Sequence, residues 1–214
     1  MQVKIKYFLM LVLALLISVP ISAEEPKQKP QTAPKNLQEK VLKNFIAWDK
    51  KLNTLDTLYT QETSFEGTLI SKSLGHLFKS ANNLRLETLD SDTNLTQYAL
   101  TDKKIIRVFD EKGNLIMETD WESWRDNQQN KSLFDFNNYA NILKKHDVRA
   151  FETTKNNYVL TLVPKDGDEY ILTFWLNKEN YFPTEINLEN EGVKSKTTLK
   201  NIKINTAVSE EIFK

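Results

Sequence analysis

The last third of the chain, from Tyr158 to Phe213, leaves little choice of fold. Tyr158, Leu160 and Leu162 alternate with Val159, Thr161 and Val163 until Pro164 ends the run. Tyr170, Leu172, Phe174 and Leu176 share one side of a second run, and Ile186 and Leu188 continue that parity in a third. Thr197–Ile204 makes a fourth. A period of two between the turn clusters KDGD, NKEN and ENEG is the pattern of antiparallel strands with one buried face. The connections are short enough for consecutive strands to pair, so the region reads as a four-stranded meander. An apolar sheet face must be covered by something, and the rest of the chain has to supply it.

The first candidate cover is a helix. Leu37, Val41, Phe45, Trp48, Leu52 and Leu55 recur at spacings of three and four, with Lys40, Lys43, Asn44, Lys50 and Lys51 between them. That predicts one amphipathic helix over 37–53, with Asn36 as its N-cap and Glu39 three residues on. Strand-like runs follow at 58–61, 63–70, 74–78, 84–89, 98–100 and 105–109, with a hairpin turn at Glu111-Lys112-Gly113-Asn114 leading to 115–117. From Trp121 to Lys145 the pattern turns helical again: Trp121, Trp124 and Phe134, then Leu133, Phe136, Ala140 and Leu143, with Ser132 as N-cap. Ten to eleven antiparallel strands in one sheet must curl. The expected architecture is α+β and mainly β: an incomplete antiparallel β-barrel with helices as a lid over an apolar cavity.

Ahead of this domain, assigned to 37–214, stand two segments of other character. Residues 1–23 have a basic start, an apolar run from Tyr7 to Val19 and small Ala23 before Glu24, which together read as a cleaved secretory signal peptide. Residues 24–36 hold three prolines and no large apolar side chain, and are expected to form a disordered arm.

Residues able to do chemistry are scarce. The chain has no Cys, which excludes disulfides, thiolate metal sites, Cys nucleophiles and a lipid-modified N-terminal Cys. No phosphate-binding Gly loop, HExxH or GxSxG motif occurs. The formal charge of +0 gives no basic field for nucleic acid. His76 and His146 are the only histidines and have no second ligand at motif spacing, so each reads as a surface or capping residue. Asp90, Asp92, Asp166 and Asp168 read as solvated turn residues. An enzyme is not expected, nor any cofactor or metal. The chain does hold four Trp, seven Tyr and eleven Phe, an apolar surplus suited to a barrel too wide for side chains to fill.

The order of these features resembles the periplasmic lipoprotein carrier family LolA over most of the chain after Asn36. The helix runs through Leu52-Asn53-Thr54-Leu55 into Tyr59-Thr60-Gln61, similar to the family's helix and F-x-Q strand. Gly67 and Gly75-His76-Leu77-Phe78 fall at its Gly strand, and Leu84-Arg85-Leu86 matches F-R-W with Leu86 for Trp. Thr101-Asp102-Lys103-Lys104 falls at S-D-G-K without the Gly. Tyr158–Pro164, Pro183-Thr184-Glu185-Ile186, Glu191-Gly192, Leu199-Lys200-Asn201-Ile202 and 205–213 fit its closing strands and final Phe. The family often has Arg-Pro after the Gly strand, and that Arg helps to hold the lid. Here Lys79-Ser80-Ala81-Asn82-Asn83 stands in that place, so the family's lid lock is not carried over.

The resemblance implies a monomeric periplasmic carrier that shields lipoprotein acyl chains and moves them from the inner to the outer membrane. Its implied partners are acylated lipoproteins, an inner-membrane lipoprotein-releasing transporter and an outer-membrane acceptor. Strand parity assigns Phe78, Leu86, Leu160, Leu162, Leu172 and Phe174 to the lipid-binding lining; Trp124, Phe136 and Leu143, from the helical stretch, are expected in the lid. The alternative of a different class is a periplasmic regulatory or sensor domain of the same fold, binding a membrane protein or a lipid signal. A hydrolase built on His76 or His146 is the remaining alternative.

Overall fold

The computed structural model describes residues 31–32, 34–128, 131–167 and 169–214. The expected signal peptide, residues 24–30 of the expected arm, and Asp168 lie outside them.

Twelve strands form a single antiparallel sheet. In chain order these are β1 (Gln31–Thr32), helix α1 (Lys35–Lys51), β2 (Thr54–Phe65), β3 (Thr68–Ser80), β4 (Asn83–Leu89), β5 (Leu95–Thr101), β6 (Ile105–Asp110) and β7 (Leu115–Asp120). Helix α2 (Trp121–Asp126), a 3₁₀ turn (Lys131–Phe134) and helix α3 (Tyr139–Lys145) interrupt the strands. Then come β8 (His146–Thr153), β9 (Asn157–Pro164), β10 (Tyr170–Asn177), β11 (Pro183–Asn190), β12 (Val193–Ile204) and a second 3₁₀ turn (Glu210–Phe213). The spatial order is β1-β8-β9-β10-β11-β12-β2-β3-β4-β5-β6-β7. Among the described residues β7 and β1 are the two edges and do not meet, so the curved sheet is an incomplete barrel. The meander expected at the C-terminal end is β9 to β12, and β12 joins it to the N-terminal strands through β2.

Several boundaries differ from the expectation. Helix α1 begins at Lys35 with Pro34 as its N-cap residue, and Asn36 lies inside it. Gln31 and Thr32, expected within the arm, pair with Thr153 and Glu152 of β8. The run 63–70 is not one strand: Glu66 and Gly67, at φ +48° and +83°, turn β2 into β3. Two consecutive positive φ values suit a tight hairpin turn, and a Glu-Gly pair in an otherwise β-rich run conceals it. The expected second helix is broken into α2, the 3₁₀ turn and α3. Asp120 caps α2 by accepting the Ser123 N–H at 2.9 Å. Asn137, at φ +68°, reverses the backbone just before α3.

The register defines the faces. Leu160, Phe174, Ile186 and Thr197 form one cross-strand row, and Thr57, Leu77, Leu86, Ala99 and Val108 another. These rows are buried against α1, α3 and the turn before α3. The opposite face carries the C-terminal 3₁₀ turn over β4, where Arg85 Nη1 donates to the Ile212 carbonyl at 3.1 Å.

Candidate functional site

The inner face of the sheet is the candidate site. Leu160, Leu162, Leu172 and Phe174 lie on it with relative exposures of 0–1%. Leu86 joins them from the far side of the sheet at 7%. Alternation on β4, β9 and β10 put all five on one face because strand side chains repeat every two residues. Phe78 does not belong with them. In β3 the inner residues are Gly75, Leu77 and Lys79, and Phe78 pairs with Asp56 and Arg85 on the outer face. There its ring lies 3.9 Å from that of His76. The inner position expected of Phe78 is filled by Leu77, which is fully buried.

Side chains from the covering elements pack against the inner face. Phe45 of α1 stacks on Tyr139 of α3 at 5.1 Å, and both rings meet Phe174, at 5.7 and 5.4 Å. Trp48 packs edge-on to Phe182 at 5.0 Å, and Phe136 lies 6.2 Å from the same ring. Of the expected lid residues, Phe136 is therefore central and fully buried. Leu143 is partly buried against the core. Trp124 sits in a second aromatic group with Trp121 and Phe134, each 5.5 Å away. Two open clefts of about 420 and 300 Å³ lie elsewhere: one beside the C-terminal turn near Ile105 and Phe213, one between α3 and β10.

Polar groups fasten this cover. Asp49 Oδ1 accepts the Asn137 N–H at 2.6 Å and Oδ2 accepts the Tyr139 N–H at 3.0 Å, so a carboxylate of α1 caps α3. Asn137 Nδ2 returns two hydrogen bonds to the carbonyls of Asp49 and Leu52, at 2.7 and 2.8 Å. Asn44 Nδ2 donates to Tyr181 Oη at 2.8 Å and ties the middle of α1 to the β10–β11 connection. Burial pushes the Asp49 carboxyl up to about 6, although the two backbone N–H groups and the charges of Lys103 and Lys79 pull it down. Burial likewise pulls Lys79 down to about 8.

Sequence reasoning missed this fastening. Asp49 interrupts nothing in the helical pattern, and its partners are 88 and 90 residues away. A polar sector of the inner face was also missed: Thr57, Thr63, Ser195 and Thr197 are 0–2% exposed, and Ser195 Oγ has no partner among the described residues. The histidines have structural partners. His76 Nε2 lies 2.6 Å from Asp56 Oδ1. His146 bridges the Ile142 carbonyl and Tyr170 Oη, at 2.7 and 2.8 Å. Asp90 ties its own turn by accepting the N–H groups of Asp92 and Asn94. Among the described residues no helix is long and apolar enough to cross a membrane.

No family model matches the chain, and no curated protein matches it. Solved structures are similar to it. An uncharacterized conserved protein from Thermus thermophilus superposes with a TM-score of 0.51 at 10% identity, over 83% of this chain and 93% of that one. A LolA superfamily protein from Nitrosomonas europaea gives 0.47 at 12% identity, over 82% and 96%. MucB, in a Pseudomonas aeruginosa MucA/MucB complex, gives 0.46 at 15% identity, over 82% of this chain and 59% of that chain. At 10% identity, the likeness to the Thermus thermophilus protein is one of fold alone.

Proposed function

We propose that this chain, a protein of LolA-like fold, is a periplasmic carrier that shields the acyl chains of lipoproteins against the inner face of its sheet. The observation that carries the reading is the fit between Leu160, Leu162, Leu172 and Phe174 and a removable apolar cover. The side chains now occupying that surface, Phe45, Phe136 and Tyr139, come from α1, α3 and the turn before α3, outside the sheet's hydrogen-bonded ladder. An acyl chain taking their place gains about 0.8 kcal/mol per buried CH₂, set against the apolar area of those rings that the exchange uncovers, and needs no bond chemistry. Release to an acceptor then follows from graded affinity between partners. On this reading the chain is exported by the signal peptide at 1–23, receives cargo from an inner-membrane transporter and delivers it to an outer-membrane acceptor.

The test is native mass spectrometry with lipid extraction on protein purified from the periplasm. A co-purified lipoprotein or diacyl lipid, lost in a folded Leu172→Arg variant, is the expected result. An empty protein that takes up no added lipoprotein would overturn the reading.

One observation favours the sensor alternative. The edge strand β7 exposes Leu115, Ile116 and Met117, which suits strand addition by a protein partner. A lasting complex with one inner-membrane protein, without cargo turnover, would decide for it.

A further inference from the structure

We propose that Lys79 and Lys103, at the rim of the inner face, form an anion-binding position, and that the acyl cargo of this protein ends beside a carboxylate or phosphate. The inference rests on the acyl-shielding reading above. When the interior opens, the sheet keeps its cations and the cover takes their counter-charges away.

Lys79 lies on the inner face in one row with Leu55, Leu84, Thr101 and Ile106, and is 1% exposed. Its Nζ donates to the carbonyls of Ala81, at 2.6 Å, and Asn53, at 3.3 Å, neither of which neutralises its charge. Lys103, half-buried in the β5–β6 turn, donates through Nζ to the Phe136 carbonyl at 3.2 Å. Both cations thus belong to the sheet. The carboxylates acting on them do not: Asp49 belongs to α1, and Asp135 to the segment before α3. Asp135 is in addition 3.5 Å from Arg125, beyond the end of β7.

Lifting the cover removes Asp49, Asp135 and the Phe136 carbonyl together, because Asp49 is bonded to Asn137 and Tyr139 on the same segment. Two sheet-borne ammonium groups then remain beside an apolar surface without their counter-charges. A desolvated, unpaired charge is strongly unfavourable, so an incoming anion is selected over a neutral headgroup. The backbone of Lys103 strengthens the assignment. It stands at φ +67°, a conformation that glycine adopts without strain and that strains a residue with a side chain. The ammonium is therefore held in place at a cost to the fold.

The test compares binding of hexadecyl phosphate, palmitate and hexadecanol to the purified protein at neutral pH. The two anionic chains are expected to bind at least about tenfold more tightly than the alcohol. Lys103→Gly removes one charge and relieves the backbone, so it keeps the fold and should reduce the preference without weakening hexadecanol. Adding Lys79→Met should abolish the preference, and Lys79→Arg should preserve it. Equal affinity for all three chains, or a preference that survives the double substitution, overturns the headgroup inference alone. Displacement of hexadecyl phosphate by an equal concentration of inorganic phosphate also overturns it, since the acyl chain would then add nothing. Failure of all three chains to bind overturns the carrier reading itself, and this inference with it.

Discussion

Asp49 and Asn137 hold each other twice, the Asp49 carboxylate accepting the Asn137 N–H at 2.6 Å while Asn137 Nδ2 donates to the Asp49 backbone carbonyl at 2.7 Å. With the Tyr139 N–H on the second carboxylate oxygen, the end of α1 and the start of α3 are joined as one unit. Loosening one end of this unit would therefore loosen the other.

Asp49→Ala leaves the N–H groups of Asn137 and Tyr139 without their acceptor, a loss of about 1–3 kcal/mol. Hydrogen exchange should quicken at 137–142 while β9–β12 keep their protection. A uniform loss of protection over the whole sheet would show that the contact supports the global fold and not the cover.

The same pair sets a pH dependence whose sign runs against the usual carboxylate case. Asp49 is pushed up from 3.8 to about 6 in the fold, so the native state holds the extra proton and stability falls as pH rises from about 4 to about 6. Lys79 is pulled down from 10.5 to about 8, so the unfolded chain holds the extra proton and stability rises between about 8 and 10.5. The cluster contributes least between about pH 6 and 8, where both groups are charged. Two pH units for Asp49 correspond to about 3 kcal/mol at most. Urea denaturation across pH should show the acid limb in the wild type and a flattened one in Asp49→Asn; identical limbs would refute the assignment.

Phe174 and Phe78 should part company on truncation. Phe174→Ala removes a fully buried ring touching Phe45 and Tyr139, and is expected to cost about 3–5 kcal/mol. Phe78→Ala trims a half-buried ring on the outer face and should cost about 1 kcal/mol. Chemical denaturation of both variants measures this, and equal losses would put Phe78 back on the inner face.

Gly75→Ala should be damaging although it adds one carbon. A Cβ there would stand 2.2 Å from Tyr59 Cζ and 2.4 Å from the Glu87 carbonyl, because the Tyr59 ring lies across the glycine. Overpacking of this kind costs about 1–3 kcal/mol. Burial now pushes the Tyr59 hydroxyl up to about 12. Displacing the ring should bring its titration back toward the ordinary 10, read by absorbance or NMR. An unchanged Tyr59 titration in the folded variant would mean that the ring does not lie over Gly75.

The division between sequence and structure follows the range of the forces involved. The meander, helix α1 and the inner positions of Leu160, Leu162, Leu172 and Phe174 were legible because side-chain direction repeats every two residues in a strand and about every 3.6 in a helix. Strand β3 was not legible in the same way. Leu74, His76 and Phe78 look more like an inner row than Gly75, Leu77 and Lys79 do. Only the Tyr59 ring over Gly75 and the carbonyls around Lys79 make the second row the buried one. Asp49 likewise reads as one more polar residue of an exposed helix face until Asn137 and Tyr139 arrive from far along the chain. Local periodicity determined the elements and most of their faces. Contacts between residues distant in sequence decided which polar groups are buried, because only a folded chain can supply the partners that make such burial tolerable.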